Sequence, residues 1–319
     1  MHLIGPLVAK EAAVSSKIEG TQSTSSDIYL FDAGGQPAHT DTPVVSNYRA
    51  AMLDAIHDVE GGKKLTQHMI RALHEKLLKG VRHKGALGAY RACPVWIAAN
   101  ENDPIEKALY IPPEHVHVQA YMDNLMQYMD NYADDLNLVK AGVIHYQFEA
   151  VHPFEDGNGR IGRLLIPLLL FYKGELSLPI VYSSGYFEGR PSEYRNALRV
   201  VDQSGKYEEW LKFFFKAITE QAKETMVLID KIQSLNNQIK TKYQTSKSPY
   251  MLRFIDLLFD SPAFTIPMML KVVKPKSRLT AVRLVEQLES DKIIHEIVGQ
   301  KGPGGSKIYL FEDLVKIIR

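Results

Sequence analysis

The stretch His152-Pro153-Phe154-Glu155-Asp156-Gly157-Asn158-Gly159-Arg160-Ile161-Gly162-Arg163 constrains this chain more than any other. A base, an acid, glycine-rich backbone and two guanidiniums fall within twelve residues. Gly157-Asn158-Gly159 supplies backbone able to take the positive φ angles that aim successive N–H groups at one anion. Behind it, Ile161, Leu164, Leu165, Leu168, Leu169 and Tyr172 recur at helical spacing over 160–173. The glycines are therefore expected to open a helix whose N-terminal dipole favours a phosphate. Arg160 and Arg163, three apart on the first turn, are placed to reach further phosphate oxygens as charge-assisted forks. Asp156, an acid beside a phosphate site, points to Mg²⁺.

This segment resembles the signature of the Fic family, H-P-F-x-[DE]-G-N-G-R-x-x-R, with every fixed position filled. Nine fixed positions at roughly 5% usage each make a chance match on the order of one in 10¹¹ to 10¹² windows, so a satisfied loop histidine beside ordinary surface arginines is a poor competing account. The resemblance implies transfer of AMP from ATP to a Ser, Thr or Tyr hydroxyl of a protein, with release of pyrophosphate. It gives His152 the role of general base, which a near-neutral imidazole suits. It makes Asp156 the Mg²⁺ ligand and spreads the nucleotide site over Gly157, Asn158, Gly159, Arg160, Ile161, Gly162 and Arg163. Within that site the 157–159 backbone and Arg160 cradle charge at phosphorus, and Arg163 takes the γ-phosphate. Phe154 is expected to bury beneath the loop.

Other features fit an intracellular enzyme. A chain of 319 residues exceeds what one core usually spans, so two domains are the default. A net charge of +1 argues against a surface coated for polyanions, and Cys93, the only cysteine, leaves neither a disulfide framework nor a cysteine metal site. The longest apolar run, 164–172, is far short of a membrane span, and the apolar patch at 3–9 lacks a basic leader. A cytoplasmic location without membrane contact is the expectation.

Helical patterns dominate, so the fold class is mainly α. Residues 7–19 read as a helix stopped by Gly20, followed by a polar loop over 21–42. Helices are expected at 45–58, 66–78, 113–132, 138–151 and 158–173. Pro94-Val95-Trp96-Ile97-Ala98 and Ala108-Leu109-Tyr110-Ile111 are β-prone runs around the turn-rich residues 100–104, a β-hairpin in a helical domain. It resembles the Fic flap, which implies that residues 95–111 hold the target protein by main-chain pairing. A solvent-covered hairpin without a partner is the alternative.

Ser15-Ser16-Lys17-Ile18-Glu19-Gly20 matches the [ST]-x-x-x-E-[GN] inhibitory motif of Fic proteins with an N-terminal autoinhibitory helix. The resemblance assigns Ser15, Glu19 and Gly20 to inhibition, with Glu19 against Arg163. A carboxylate about 4 Å from a guanidinium at an effective dielectric near 20 is worth roughly 4 kcal/mol before desolvation, enough to withhold Arg163 from a γ-phosphate.

Residues 186–198 resemble the family's stretch near the adenine, but Gly189 and Arg195 depart from its pattern. Tyr194 is the candidate for the nucleoside pocket, with a core tyrosine as the equal alternative. From Trp210 to Lys240, Leu211, Phe215, Ile218, Ala222, Thr225, Ile229, Ile232, Asn236 and Ile239 form a heptad seam, for packing between domains or for a homodimer. A linker is expected at 240–248. Residues 250–319 look like a small α/β winged helix, with helices at 251–259, 266–272 and 277–288 and a wing from 293–298 and 307–311. Lys271, Lys274, Lys276, Arg278 and Arg283 make either DNA or a protein its partner. The expected division is therefore 1–42 inhibitory helix and loop, 43–240 catalytic domain with its long helix, and 250–319 winged helix. A DNA-binding regulator using the site as a nucleotide sensor, or removal of AMP by the same site, are the other functions this pattern allows.

Overall fold

The computed structural model describes residues 3–98, 103–131 and 135–319. Helices α1 (Ile4–Ile18), α2 (Ser25–Asp32), α3 (Thr42–Glu60) and α4 (Gln67–Leu78) lead to strands β1 (Ile97–Ala98) and β2 (Ala108–Tyr110). Then come α5 (Val118–Asn131), α6 (Asn137–Val151), α7 (Asn158–Tyr172), α8 (Ser184–Glu188), α9 (Pro191–Ser204) and the long α10 (Glu208–Tyr243). The C-terminal part runs α11 (Met251–Asp260), β3 (Ala263–Thr265), α12 (Ile266–Val273), α13 (Arg278–Ser290), β4 (His295–Lys301), β5 (Lys307–Leu310) and α14 (Glu312–Ile318). The protein is thus mainly helical with two small antiparallel sheets. No helix among the described residues is long and apolar enough to cross a membrane.

Two compact units form, one of Ala50–Gln221 and one joining Met1–Arg49 to Ala222–Arg319. This differs from the expected three-part division, because the N-terminal helices share a core with the C-terminal segment. Ala9 of α1, Tyr29 of α2 and its C-cap Ala33 lie in one buried cluster with Phe254, Leu258, Phe264 and Phe311. A Cβ on Gly5 would meet the Asp260 carbonyl oxygen at 3.0 Å, so α1 and α11 approach closely there. In the same unit β5 is the central strand of the order β3-β5-β4, with Phe264 opposite Tyr309 and His295 opposite Leu310.

In the unit of Ala50–Gln221, α6 and α7 form the centre. Gly162 permits their contact, since a Cβ there would lie 3.2 Å from Phe148 Cδ1 and 2.2 Å from Glu149 Oε1. α10 closes over Gly142, where the Trp210 indole donates to the Gly142 carbonyl at 2.8 Å. The hairpin is narrower than its β-prone runs, pairing Ile97 with Tyr110 and Ala98 with Ala108. Residues 100–102 of its expected turn lie outside the described residues. A 3₁₀ turn at His115–His117 replaces the expected start of α5, whose expected end at 132 also lies outside them.

Three local expectations are overturned. The polar loop at 21–42 contains α2, because Thr24 and Asp27 form a reciprocal capping box ahead of the apolar Ile28 and Tyr29. The heptad seam holds in the second half of α10, where Ile232 and Ile239 are buried. In the first half the buried residues are Trp210, Phe214 and Ala217, one position earlier than expected. The helix also continues to Tyr243, whose hydroxyl bonds Asp291, so the first residues of the expected linker are helical.

Candidate functional site

The site is a short loop between two helices with fixed ends. α6 terminates at Val151, and His152 caps it in the left-handed region at φ 49°, ψ 62°. Its N–H donates to the Phe148 carbonyl at 3.0 Å, and its Nδ1 lies 3.3 Å from the Glu149 carbonyl. A carbonyl can only accept, so this contact puts the proton on Nδ1 and makes Nε2 the basic nitrogen. The Arg91 Nε donates to the His152 carbonyl at 2.9 Å.

Phe154 is fully buried and stacks on His74, ring centroids 3.8 Å apart and nearly parallel at 6°. Asn158 closes the loop by accepting from the Phe154 N–H and donating to the Phe154 carbonyl, both at 2.8 Å. His74 accepts at Nδ1 from the Gly88 N–H and meets the Asp156 carbonyl with Nε2, both at 3.0 Å. That pairing fixes the neutral Nε2–H tautomer. Burial lowers its pKa to about 4, against the pull of the Asp156 carbonyl and carboxylate.

The expected three-residue nest is smaller than its sequence suggested. Only Gly157 uses a positive φ, 77°, as the N-cap of α7, and Asn158 and Gly159 already belong to the helix. The Ile161 N–H donates to the Gly157 carbonyl at 3.1 Å, so the amides of residues 158–160 precede the first intrahelical bond and are the helix's anion-facing donors. Arg160 Nη2 pairs with Asp156 Oδ1 at 2.9 Å, while its Nε is buried without a hydrogen-bond partner. Arg163 is 2% exposed. Ile161 is fully buried and Gly162 sits against α6, so both positions serve packing.

Tyr194 lies in an aromatic cluster, not an open pocket. Its ring stacks on Phe187 at 4.3 Å, and its hydroxyl donates to His145 Nε2 at 2.7 Å. His145 in turn donates from Nδ1 to the Gly162 carbonyl at 3.1 Å, which ties α9 through α6 to the turn that carries Arg163. Burial, opposed by the hydrogen bond to the Gly162 carbonyl and aided by the Arg163 charge, lowers the His145 pKa to about 3. Ser15 and Glu19 belong to the other compact unit, on α1 and at its C-cap, followed by Gly20 at φ 90°.

Among the described residues no group of three or more His, Cys, Asp or Glu forms a metal cage. Asp156 still fits Mg²⁺, which keeps its waters and phosphate oxygens and asks the protein for one or two carboxylates. The Asp156 side chain is 31% exposed, and only Oδ1 is engaged by Arg160.

His74, Arg91 and His145 were not singled out from sequence. The one legible signal was His74 at helical spacing among Met69, Ile70, Leu73, Leu77 and Leu78, on the buried face of α4.

Residues 64–170 match the Fic/DOC family, and residues 1–57 match the Fic/DOC family N-terminal region. The chain is 30% identical over 114 residues to a probable protein adenylyltransferase of Aquifex aeolicus (strain VF5), covering 35% of this chain and 34% of that one. It is 33% identical over 84 residues to the protein adenylyltransferase fic-1 of Caenorhabditis elegans, covering 24% of this chain and 16% of that one. The chain therefore spans about a third of the first relative's length and less of the second's. A solved Fic family protein from Desulfovibrio desulfuricans G20 has the same fold, with a TM-score of 0.58 at 19% identity over 96% of this chain and 86% of that one. With both matched segments drawn from one family and the motif loop built between α6 and α7, the chain belongs to the Fic/DOC family.

Proposed function

We propose that this protein is an autoinhibited adenylyltransferase that moves AMP from ATP to a Ser, Thr or Tyr hydroxyl of a protein target, itself included. The observation that carries the reading is the intact loop of His152, Asp156, Asn158 and Arg163, held by buried contacts at both ends. The names of the relatives support it. In this mechanism the target oxygen attacks the α-phosphorus, the bond to the β-phosphate oxygen breaks, and pyrophosphate leaves. His152 takes the hydroxyl proton on Nε2 as the new P–O bond forms. The first-turn amides of α7 and Arg160 face the charge gathering at phosphorus, and Arg163 sets the triphosphate's orientation. Mg²⁺, held by Asp156, would neutralise phosphate charge when bound.

Glu19 is the inhibitory group in this reading. Paired with Arg163 it withholds the guanidinium from the γ-phosphate, and losing roughly 1 to 3 kcal/mol of net pairing frees about 5- to 150-fold more competent ATP binding. Incubation with labelled ATP, Mg²⁺ and cell lysate tests this. Glu19→Gly should raise labelling and self-labelling, Glu19→Gly with Arg163→Ala should lose the gain, and His152→Ala should abolish transfer while keeping ATP binding. An unchanged rate in Glu19→Gly removes the inhibitory role, and labelling by His152→Ala removes the base.

A second reading has one observation behind it. Between Asp260 and Glu286 the C-terminal segment carries Lys271, Lys274, Lys276, Arg278 and Arg283 without an acid, four of them exposed on or before the first turn of α13. A DNA-binding regulator that uses the site to sense nucleotide would retard duplex DNA with a steep salt dependence and label nothing. Transfer activity in the full chain eliminates the pure sensor.

A further inference from the structure

Every carbonyl from Ala150 to Pro153 is taken by a residue at one end of the β1–β2 hairpin. The Tyr110 hydroxyl, at the end of β2, donates to Ala150 at 2.9 Å. The Arg91 guanidinium takes the next two, through Nη2 to Val151 at 3.2 Å and Nε to His152 at 2.9 Å. The Arg91 backbone N–H takes the last, Pro153, at 2.8 Å. The same guanidinium holds both legs of the hairpin, donating to Cys93 before β1 at 3.3 Å and to Pro113 after β2.

Arg91 is 3% exposed, and among the described residues no carboxylate pairs with it. A buried cation is costly unless its donors are satisfied, and here carbonyls satisfy them. The carbonyls at the end of α6 are the orphan acceptors at the negative pole of its dipole, where a cation is favoured. His152 needs such a brace, since a non-glycine residue at φ 49° persists only where its surroundings over-determine it.

We propose, resting on the AMP-transfer reading, that Arg91 is a positioning residue that locks the hairpin stem to the backbone of His152. A target segment held on the hairpin and the base that deprotonates its hydroxyl are then set in one frame. Tyr110 is the weaker second tie. A lysine at 91 keeps the charge but presents a single ammonium in place of a planar fork and cannot span both hairpin legs and the α6 terminus.

The test uses the full chain in a Glu19→Gly background, with Arg91→Lys and the milder Tyr110→Phe. Arg91→Lys should lower kcat for protein labelling by about 10- to 100-fold, the scale of a misplaced reacting group, while the dissociation constant for ATP stays within about threefold. Tyr110→Phe should move kcat the same way by less. In Arg91→Ala, added methylguanidinium should restore labelling where methylammonium does not. Amide exchange in Arg91→Lys should quicken jointly at 97–98, 108–110, His152 and Phe154. An unchanged kcat in Arg91→Lys, or faster exchange in the hairpin alone, overturns the proposal. If the Glu19→Gly parent transfers no AMP, the transfer reading fails by itself. The lock then stands on joint exchange and falls without it.

Discussion

At the scale of residues, the site depends on groups that act by being fixed. Asn158 satisfies both the N–H and the carbonyl of buried Phe154. Asn158→Ala strands both and should cost about 2 to 5 kcal/mol, read as a lower urea midpoint with unchanged slope. Asn158→Asp keeps the acceptor and loses the donor, so it should fall between; equal loss in both variants would refute this division of roles. His74 and His145 are both neutral in the fold, with pKa values lowered from 6.5 to about 4 and about 3. In the unfolded chain each titrates near its ordinary value. Between about pH 6.5 and 4 the unfolded state therefore binds protons that the folded state does not, and stability rises with pH there. Their contribution is complete above about pH 6.5 and shrinks by roughly 1 kcal/mol per pH unit for each histidine as pH falls toward 4. Denaturation midpoints of wild type and His145→Gln at pH 7 and pH 5 check this, and an equal slope in both excludes His145. The motif made His152, Asp156 and Arg163 legible because their chemistry sits in adjacent residues. His74 and Arg91 were not, since their partners lie far along the chain and nothing local marks a side chain that hydrogen-bonds a distant carbonyl.

Elements were legible where spacing and caps agree. α4 begins after Thr66, whose hydroxyl accepts from the Met69 N–H at 3.3 Å, and α6 and α7 fall where their apolar periods put them. α2 escaped because its polar first turn, Thr24 to Asp27, has the composition of a loop. The capping box that starts it uses the same residue types. Thr24→Ala should therefore cost about 0.5 to 2 kcal/mol in the unit that contains α2. No change in that unit's thermal midpoint would mean that packing of Ile28 and Tyr29 alone holds α2. The slip of the α10 seam has a plain cause. Both phases offer apolar residues in the run Trp210 to Phe215, and the phase chosen fully buries the two large rings of Trp210 and Phe214 and bonds the Trp210 indole to the Gly142 carbonyl, with Leu211 reaching Gly142 from the flank.

At the scale of the whole molecule, the N-terminal helices complete the core of the C-terminal segment. The loop between β4 and β5 is seated on the end of α2, where a Cβ on Gly34 would lie 2.3 Å from Pro303 Cδ and one on Gly35 would lie 2.2 Å from Gln300 Oε1. Gly34 also stands at φ 89°. Gly34→Ala should thus lower the stability of this unit by roughly 2 to 4 kcal/mol through overpacking and a strained φ. Removing residues 1–49 should expose the face formed by Phe254, Leu258 and Phe264 and raise binding of a hydrophobic dye. A truncated chain that melts as the full one does would refute the shared core.

The sequence by itself determined the helical class, the position of the motif loop at 152–163 between two helices and the hairpin, since each is written in neighbouring residues whose spacing and turn chemistry act locally. Only the tertiary structure decided which carbonyls Arg91 gathers, that Tyr194 is buried against His145, and that α1 and α2 fold with the C-terminal segment. Those outcomes depend on surfaces meeting across long stretches of chain, where burial and shape choose among partners that local pattern leaves equivalent.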